Sequence, residues 1–270
     1  MGQPCGALQQ GLLSVSSDIA RGGLLGGQSP MLHIFVREER CRDTLLEILA
    51  QVRQPKLFFL VDDDIFIRDV NMAEFTSINP LEYVPSLRLA PHLNYSYTMK
   101  MPQQPPLLEK SKKYGDMLTW AWGSAGNEWN YPFSVEGHLF DTAEVVMMTR
   151  SSPFKAPNTY EGVLAGFGAV CANRPGLCYA SARLFNIPAN KVQTENVNHA
   201  GEVFSVTPEE FLNRWNSGQQ IDVSAFTNFT PTSPHQEVPF TFTPRPQTGK
   251  AAPAKSPAAA KKPTLRKKAA

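Results

Sequence analysis

Apolar positions recur along the chain with two different periods. Residues 32–36, Leu-His-Ile-Phe-Val, read as a strand, and residues 41–52 set Leu45, Ile48 and Leu49 on one helical face. Residues 56–61 then read as a second strand. It is apolar at Leu57, Phe58, Phe59, Leu60 and Val61, the pattern of a central strand covered on both faces. The pattern predicts a βαβ unit that ends in the acids Asp62, Asp63 and Asp64, and ligands of such sheets gather at the carboxyl ends of the strands.

Further on, the spacing predicts a short helix at 72–76, a strand at 86–89, Pro-rich loops around 91 and 102–106, and an inner strand at 134–140. Helices follow at 142–150, 159–167 and 208–215, the last capped by Ser205 or Thr207, with a strand at 177–182. Trp120, Trp122, Trp129 and Tyr131 fall among Gly and polar residues and read as a loop. The expected fold class is α/β: a mixed, Rossmann-like sheet flanked by helices in a single domain. Residues 1–30 are Gly-rich and weakly patterned, residues 31–240 form the domain, and residues 241–270 are a tail rich in Ala, Pro and Lys that is expected to be disordered.

Charge changes the picture only in the tail. Residues 244–270 hold eight Lys or Arg and no acid, so removing them from the net charge of +2 leaves −6 on the rest. The tail is a candidate for weak contact with an anionic partner, nucleic acid or membrane surface, but it has no aromatic side chain to stack on bases. No run approaches the roughly 18 apolar residues of a membrane span. With no leader visible either, a cytoplasmic protein without a transmembrane segment is expected. The four cysteines are scattered without zinc or redox spacing.

The candidate chemistry starts from the acids. Adjacent carboxylates at the end of a buried strand repel one another unless a cation offsets them, and oxygen donors favour Mg²⁺ or Mn²⁺ carrying a phosphorylated ligand. Strand alternation would point Asp62 and Asp64 one way and Asp63 the other. The alternative is an acidic turn leading into residues 65–69. No Gly-x-x-x-x-Gly-Lys loop is present, and Ile65 and Phe66 do not fit an aspartyl-phosphatase setting.

The run Phe58-Phe59-Leu60-Val61-Asp62-Asp63-Asp64 resembles the Asp-x-Asp motif of metal-dependent glycosyltransferases of the GT-A fold. Ser134-Val135-Glu136-Gly137-His138-Leu139-Phe140 is similar to that family's Gly-containing strand near the donor sugar, and Asn158-Thr159-Tyr160-Glu161-Gly162 to its acidic motif at a helix head. The resemblance spans residues 31–220. It implies a GT-A-like fold and transfer of a sugar from a nucleotide-sugar donor to a saccharide or other hydroxyl acceptor. It also implies Mn²⁺ or Mg²⁺ held by Asp62, Asp64 and a late His, His199, with Asp63, Gly137 and His138 near the donor. Glu161 is then the base, Glu136 its support, and the faces of Trp120, Trp122 and Trp129 can stack on an acceptor sugar. Glu161 also reads as an ordinary first-turn helix residue, the histidines as structural, and the tryptophans as core. The chain departs from the family at Gly162, where an Asp is common, and in residues 1–30, which do not supply the usual first strand and helix. An N-terminally incomplete, non-catalytic binding protein, or a module working through its basic tail, are therefore the competing expectations.

Overall fold

A computed structural model of the chain describes residues 36, 38–124, 126–171, 173–189 and 199–246. All but the last residue of the expected strand at 32–36, and most of the basic tail, lie outside the described residues. The first elements are helix α1 (Cys41–Gln51), strand β1 (Lys56–Phe58), strand β2 (Asp64–Phe66) and helix α2 (Met72–Ser77). Short strands follow: β3 (Val84–Ser86), β4 (Tyr95–Ser96), β5 (Met101–Pro102), β6 (Glu109–Lys110), β7 (Leu118–Ala121) and β8 (Leu139–Asp141). Helices α3 (Thr142–Ser151) and α4 (Pro157–Gly166) precede strands β9 (Pro175–Cys178) and β10 (Leu184–Asn186). Helix α5 (Pro208–Asn216) and strands β11 (Gln219–Ile221) and β12 (Phe242–Pro244) complete the described chain.

The architecture is mixed α/β, built from small ladders. The four-stranded sheet runs β3-β9-β7-β6, with β3 parallel to β9 and the other pairs antiparallel. β1 pairs with β8, β2 with β10 and β11 with β12, all antiparallel. Single backbone bonds join several of these pieces. Gly137 N–H donates to Phe59 O at 2.9 Å, Leu87 N–H to Gly137 O at 2.8 Å, Arg183 N–H to Leu87 O at 2.8 Å, and Ile67 N–H to Arg183 O at 2.8 Å. Residues 134–138 therefore do not make the long inner strand expected. Gly137 sits at φ +71°, which interrupts the extended run and leaves only β8 beyond it.

The expected helices form close to where the periodicity put them. Asp141 caps α3 by accepting from Glu144 N–H, and Thr207, not Ser205, caps α5 by accepting from Glu210 N–H. The expected loop of tryptophans is instead core. Trp120 lies in β7 and Trp129 in a 3₁₀ turn, with exposures of 3% and 0%. The indoles of Trp120 and Trp129 meet edge to face at 5.1 Å, and Trp120 Nε1 donates to Trp129 O. This cluster packs against Leu49, Val145, Met148 and Leu164 from α1, α3 and α4. The tail boundary also moves. β12 pairs with β11, and the Arg245 guanidinium stacks on Trp215 at 3.7 Å, so order extends past residue 241.

Close packing depends on glycine at one point of the central sheet. A Cβ on Gly176 would lie 2.3 Å from two ring carbons of Trp120. Gly176→Ala must displace the indole or the strand, at a cost of about 1–3 kcal/mol. Urea unfolding should show a lower midpoint at an unchanged slope; a midpoint equal to that of the unsubstituted protein would refute this packing.

Candidate functional site

The acids after β1 do not continue as a strand. Asp64 N–H donates to Val61 O at 3.2 Å, closing a turn in which Asp62 is exposed while Asp64, at the start of β2, is 9% exposed. The expected alternation, with Asp62 and Asp64 sharing one side, is therefore overturned by the turn. Asp64 Oδ2 accepts from Val61 N–H at 3.0 Å, and its Oδ1 is buried without a partner. Asp63 Oδ1 accepts from Asn186 Nδ2 at 2.5 Å. Burial and then the charge of Asp62 push Asp63 up to about 6, while burial and then Glu136 push Asp64 well above the ordinary carboxylate range.

Facing these acids is a guanidinium that sequence reasoning missed. Arg88 is 2% exposed and donates to Glu136 Oε2 at 2.8 Å and to Glu128 Oε2 at 3.0 Å. Burial alone would discourage its charge, but Glu128, Glu136, Glu161 and Asp64 outweigh burial and hold it firmly protonated. Ser96 Oγ donates to Glu128 Oε1 at 3.2 Å, tying the β4–β5 hairpin to the same network. The available signal was a lone charge in the apolar run Ser86-Leu87-Arg88-Leu89-Ala90.

Glu136 also accepts from His235 Nε2 at 2.9 Å through its second oxygen. Burial pushes Glu136 up, yet His235 and then Arg88 bring it down to about 2, and Glu136 raises His235 to about 9 against burial. His235 enters beside β10 through a bridge to Asn186, the residue paired with Asp64. The segment after it is anchored by Glu237, whose carboxylate accepts from Tyr97 Oη at 2.5 Å and from the N–H groups of Glu202, Val203 and Phe204. Only the pair Pro234-His235 in a polar stretch marks this place in the sequence, and no periodicity does.

Glu161 joins from α4. It is the fifth residue of that helix, not a first-turn acid, and its Oε1 accepts from Ser134 Oγ and Val135 N–H, each at 3.1 Å. Burial and then Glu136 raise its carboxyl above the usual range. The reading of Glu161 as a helix-start stabiliser is thereby overturned.

Other expected site residues lie elsewhere or serve the fold. His199 accepts no place among these acids; its Nδ1 pairs with Glu202 at 3.0 Å and its ring meets Tyr97 edge to face. His138 is fully buried and donates from Nδ1 to Pro132 O at 2.8 Å; burial, then Arg88, push it down to about 3, so it stays neutral and cannot touch a donor. Gly137 spends both backbone groups inside the sheet, and a Cβ there would lie 2.8 Å from Leu184 Cδ2. Trp120 and Trp129 are closed off in the core, and Trp122, 5% exposed, only borders a cleft.

Among the described residues no group of three or more His, Cys, Asp or Glu side chains is arranged to hold a metal ion, and no helix is long and apolar enough to cross a membrane. Comparison of the chain with family models, curated proteins and solved structures finds no match. The site therefore rests on its own geometry.

The network predicts its own stability behaviour. Arg88→Met leaves Glu128 and Glu136 buried without their cation and should cost about 3–5 kcal/mol. Glu136, held low, contributes stability that is present above its ordinary pKa of 4.5 and lost as pH falls toward 2. His235, held high, contributes stability that is present below its ordinary 6.5 and lost as pH rises through 9. In chelator, urea unfolding from pH 5 to 10 should show an alkaline decline between 6.5 and 9 that flattens in His235→Asn. An identical decline in the variant would exclude the ion pair as its source.

Proposed function

We propose that the chain is a metal-dependent glycosyltransferase of the GT-A type, moving a sugar from a nucleotide-sugar to a hydroxyl acceptor. The observation that carries this reading is convergence. The acidic run 62–64, Glu136 ahead of Gly137, and Glu161 come from separate parts of the chain. The family pattern places them in that order, and the carboxylates of Asp64, Glu136 and Glu161 meet around Arg88, while Asp63 bonds to Asn186 and Asp62 is exposed.

The donor atoms fit a divalent cation. Asp64 Oδ1 and His235 Nδ1 are both buried without a partner, while His235 gives its other nitrogen to Glu136. A ring N–H donated to a carboxylate orients a metal-binding histidine, and because Glu136 keeps His235 protonated up to about 9, cation binding here would have to displace the Nδ1 proton. Mg²⁺ and Mn²⁺ are commonly bound through one or two protein groups, with water and substrate phosphates completing the shell, so a three-residue cage is not required. Asp64 and His235 would hold the ion, with His235 replacing His199 in the expected set and exposed Asp62 facing the donor side. When bound, the ion supplies positive charge that offsets the charge developing on the leaving diphosphate.

The remaining work falls to the chain's own side chains. Ser134 Oγ and Val135 N–H fix one oxygen of Glu161. Its elevated pKa brings it closer to the working pH, where a carboxylate is a better general base. Glu161 takes the proton of the acceptor hydroxyl as that oxygen bonds to the anomeric carbon. The bond from this carbon to the diphosphate oxygen breaks, and its electron pair leaves with the diphosphate. Arg88 keeps Glu136 ionised and in place, and Glu136 orients His235.

Calorimetry across the common nucleoside diphosphates should give binding with Mn²⁺ that chelator removes. Asp64→Asn should weaken it at least tenfold, and Glu136→Gln about 10–100-fold through His235. Glu161→Gln should leave nucleotide binding intact and slow transfer about 10²–10⁴-fold. Absence of metal-dependent binding to every nucleotide would refute the reading.

A further inference from the structure

A cleft of about 350 Å³ opens on the side of the ion network formed by α4 and residues 122–132. Trp122, Tyr131 and Pro132 line it with apolar surface, Asn130 adds an amide, and Gly123 and Gly168 leave room between them. Asn130 Oδ1 accepts from Gly123 N–H at 3.0 Å, which leaves its amide N–H₂ for a ligand. Tyr131 connects the cleft to the network. Its hydroxyl donates to Glu161 O at 3.5 Å, and burial, then the charge of Glu161, raise its pKa.

Ring faces, an unspent amide donor, and small residues beside them are the features of a site for a ring that is apolar on one face and hydroxylated at its edge. The volume is at the lower end of ordinary ligand clefts, which suits a single sugar ring. We propose that this cleft is the acceptor subsite and that its occupant is a pyranose. The ring lies on Tyr131 and Pro132, Asn130 takes a hydroxyl at its edge, and a further hydroxyl is turned toward Glu161. This assignment rests on the transferase reading for its role as acceptor. The donor and its cation remain on the other side of Glu136, at Asp64 and His235.

The location accounts for an otherwise unneeded feature of the fold. Residues 131–136 form one connector: Tyr131 and Pro132 wall the cleft, Ser134 and Val135 bind the Glu161 carboxylate, and Glu136 meets Arg88 and His235. A sugar seated on the first residues of this connector is set next to the base by the middle ones.

The test uses the full chain with Mn²⁺ and a nucleoside diphosphate present, probed with an array of pyranosides and then by NMR titration with the methyl glycoside that binds. Gly168→Leu is the blocking variant. Gly168 lies outside the left-handed region, and a Cβ there meets only Pro132 Cγ at 3.9 Å, so the added side chain fills the cleft without straining the backbone. The expected result is pyranoside binding by the unsubstituted protein, reduced at least tenfold by Gly168→Leu and by Tyr131→Ala. Mn²⁺-dependent nucleotide affinity and the unfolding midpoint should stay unchanged in Gly168→Leu. Pyranoside binding that survives Gly168→Leu, or no binding to any pyranoside by the unsubstituted protein, overturns the assignment. Failure of the unsubstituted protein to bind any nucleotide with Mn²⁺ overturns the transferase reading separately, whatever the cleft does.

Discussion

The buried guanidinium of Arg88 is the constraint around which the centre of the molecule is arranged. A charge with 2% exposure is tolerated only where carboxylates surround it, and its partners arrive from separate places: Glu128 in a 3₁₀ turn, Glu136 before Gly137, Glu161 in α4 and Asp64 at the head of β2. Each of those segments must be correctly placed before the ion group is satisfied. Arg88 and His235 supply two positive charges against these four carboxylates. Burial first, and then this excess, are why Asp64 and Glu161 lean toward their protonated forms.

The backbone supports this arrangement with few regular ladders. Most strands are two to four residues long, so the ordering of the centre relies on single links such as Gly137 to Phe59 and Leu87 to Gly137. The left-handed turn at Gly137 allows its N–H to reach β1 and its carbonyl to reach Leu87, and it turns Glu136 toward Arg88 and His138 into the core. A side chain there would meet Leu184. The residue that ends the expected strand is therefore the one that presents the site's central carboxylate.

The longer helices were legible in the sequence because their apolar positions repeat over two or more turns, and Asp141 and Thr207 also mark the starts of α3 and α5. Strands were less so. A three-residue strand such as β2 or β10 carries too few positions for a period to register, and its pairing is set by partners far away in sequence. The acidic run, Glu136 and Glu161 could be found from spacing. The turn at Asp62 and Asp63 entered only as the alternative to a strand, since what decides between them is where β10 captures Asp64. His235 was overlooked in favour of His199 for a related reason: both sit in polar loops, and only the bridge to Asn186 and the Glu237 clamp separate the one at the site from the one paired with Glu202. The tryptophans misled because Gly and polar neighbours resemble a loop, although Gly176 opposite Trp120 is what lets an indole lie flat against a strand.

The position of Glu161 in the second turn of α4 has a chemical consequence. In the first turn a carboxylate would lie against the helix's own free N–H groups, which favour its ionised form and weaken it as a base. One turn later it loses that support and instead meets a buried neighbour of like charge, Glu136, while keeping two fixed donors from Ser134 and Val135. Its orientation is preserved and its affinity for a proton is increased. The same two donors belong to the connector that starts at Tyr131, so any ligand that shifts Tyr131 and Pro132 also shifts the atoms that aim the carboxylate. His138 Nδ1, bonded to Pro132 O from within the core, resists such a shift. A buried, neutral histidine therefore serves this part of the fold through the rigidity of one loop, and its value lies in staying uncharged beside Arg88.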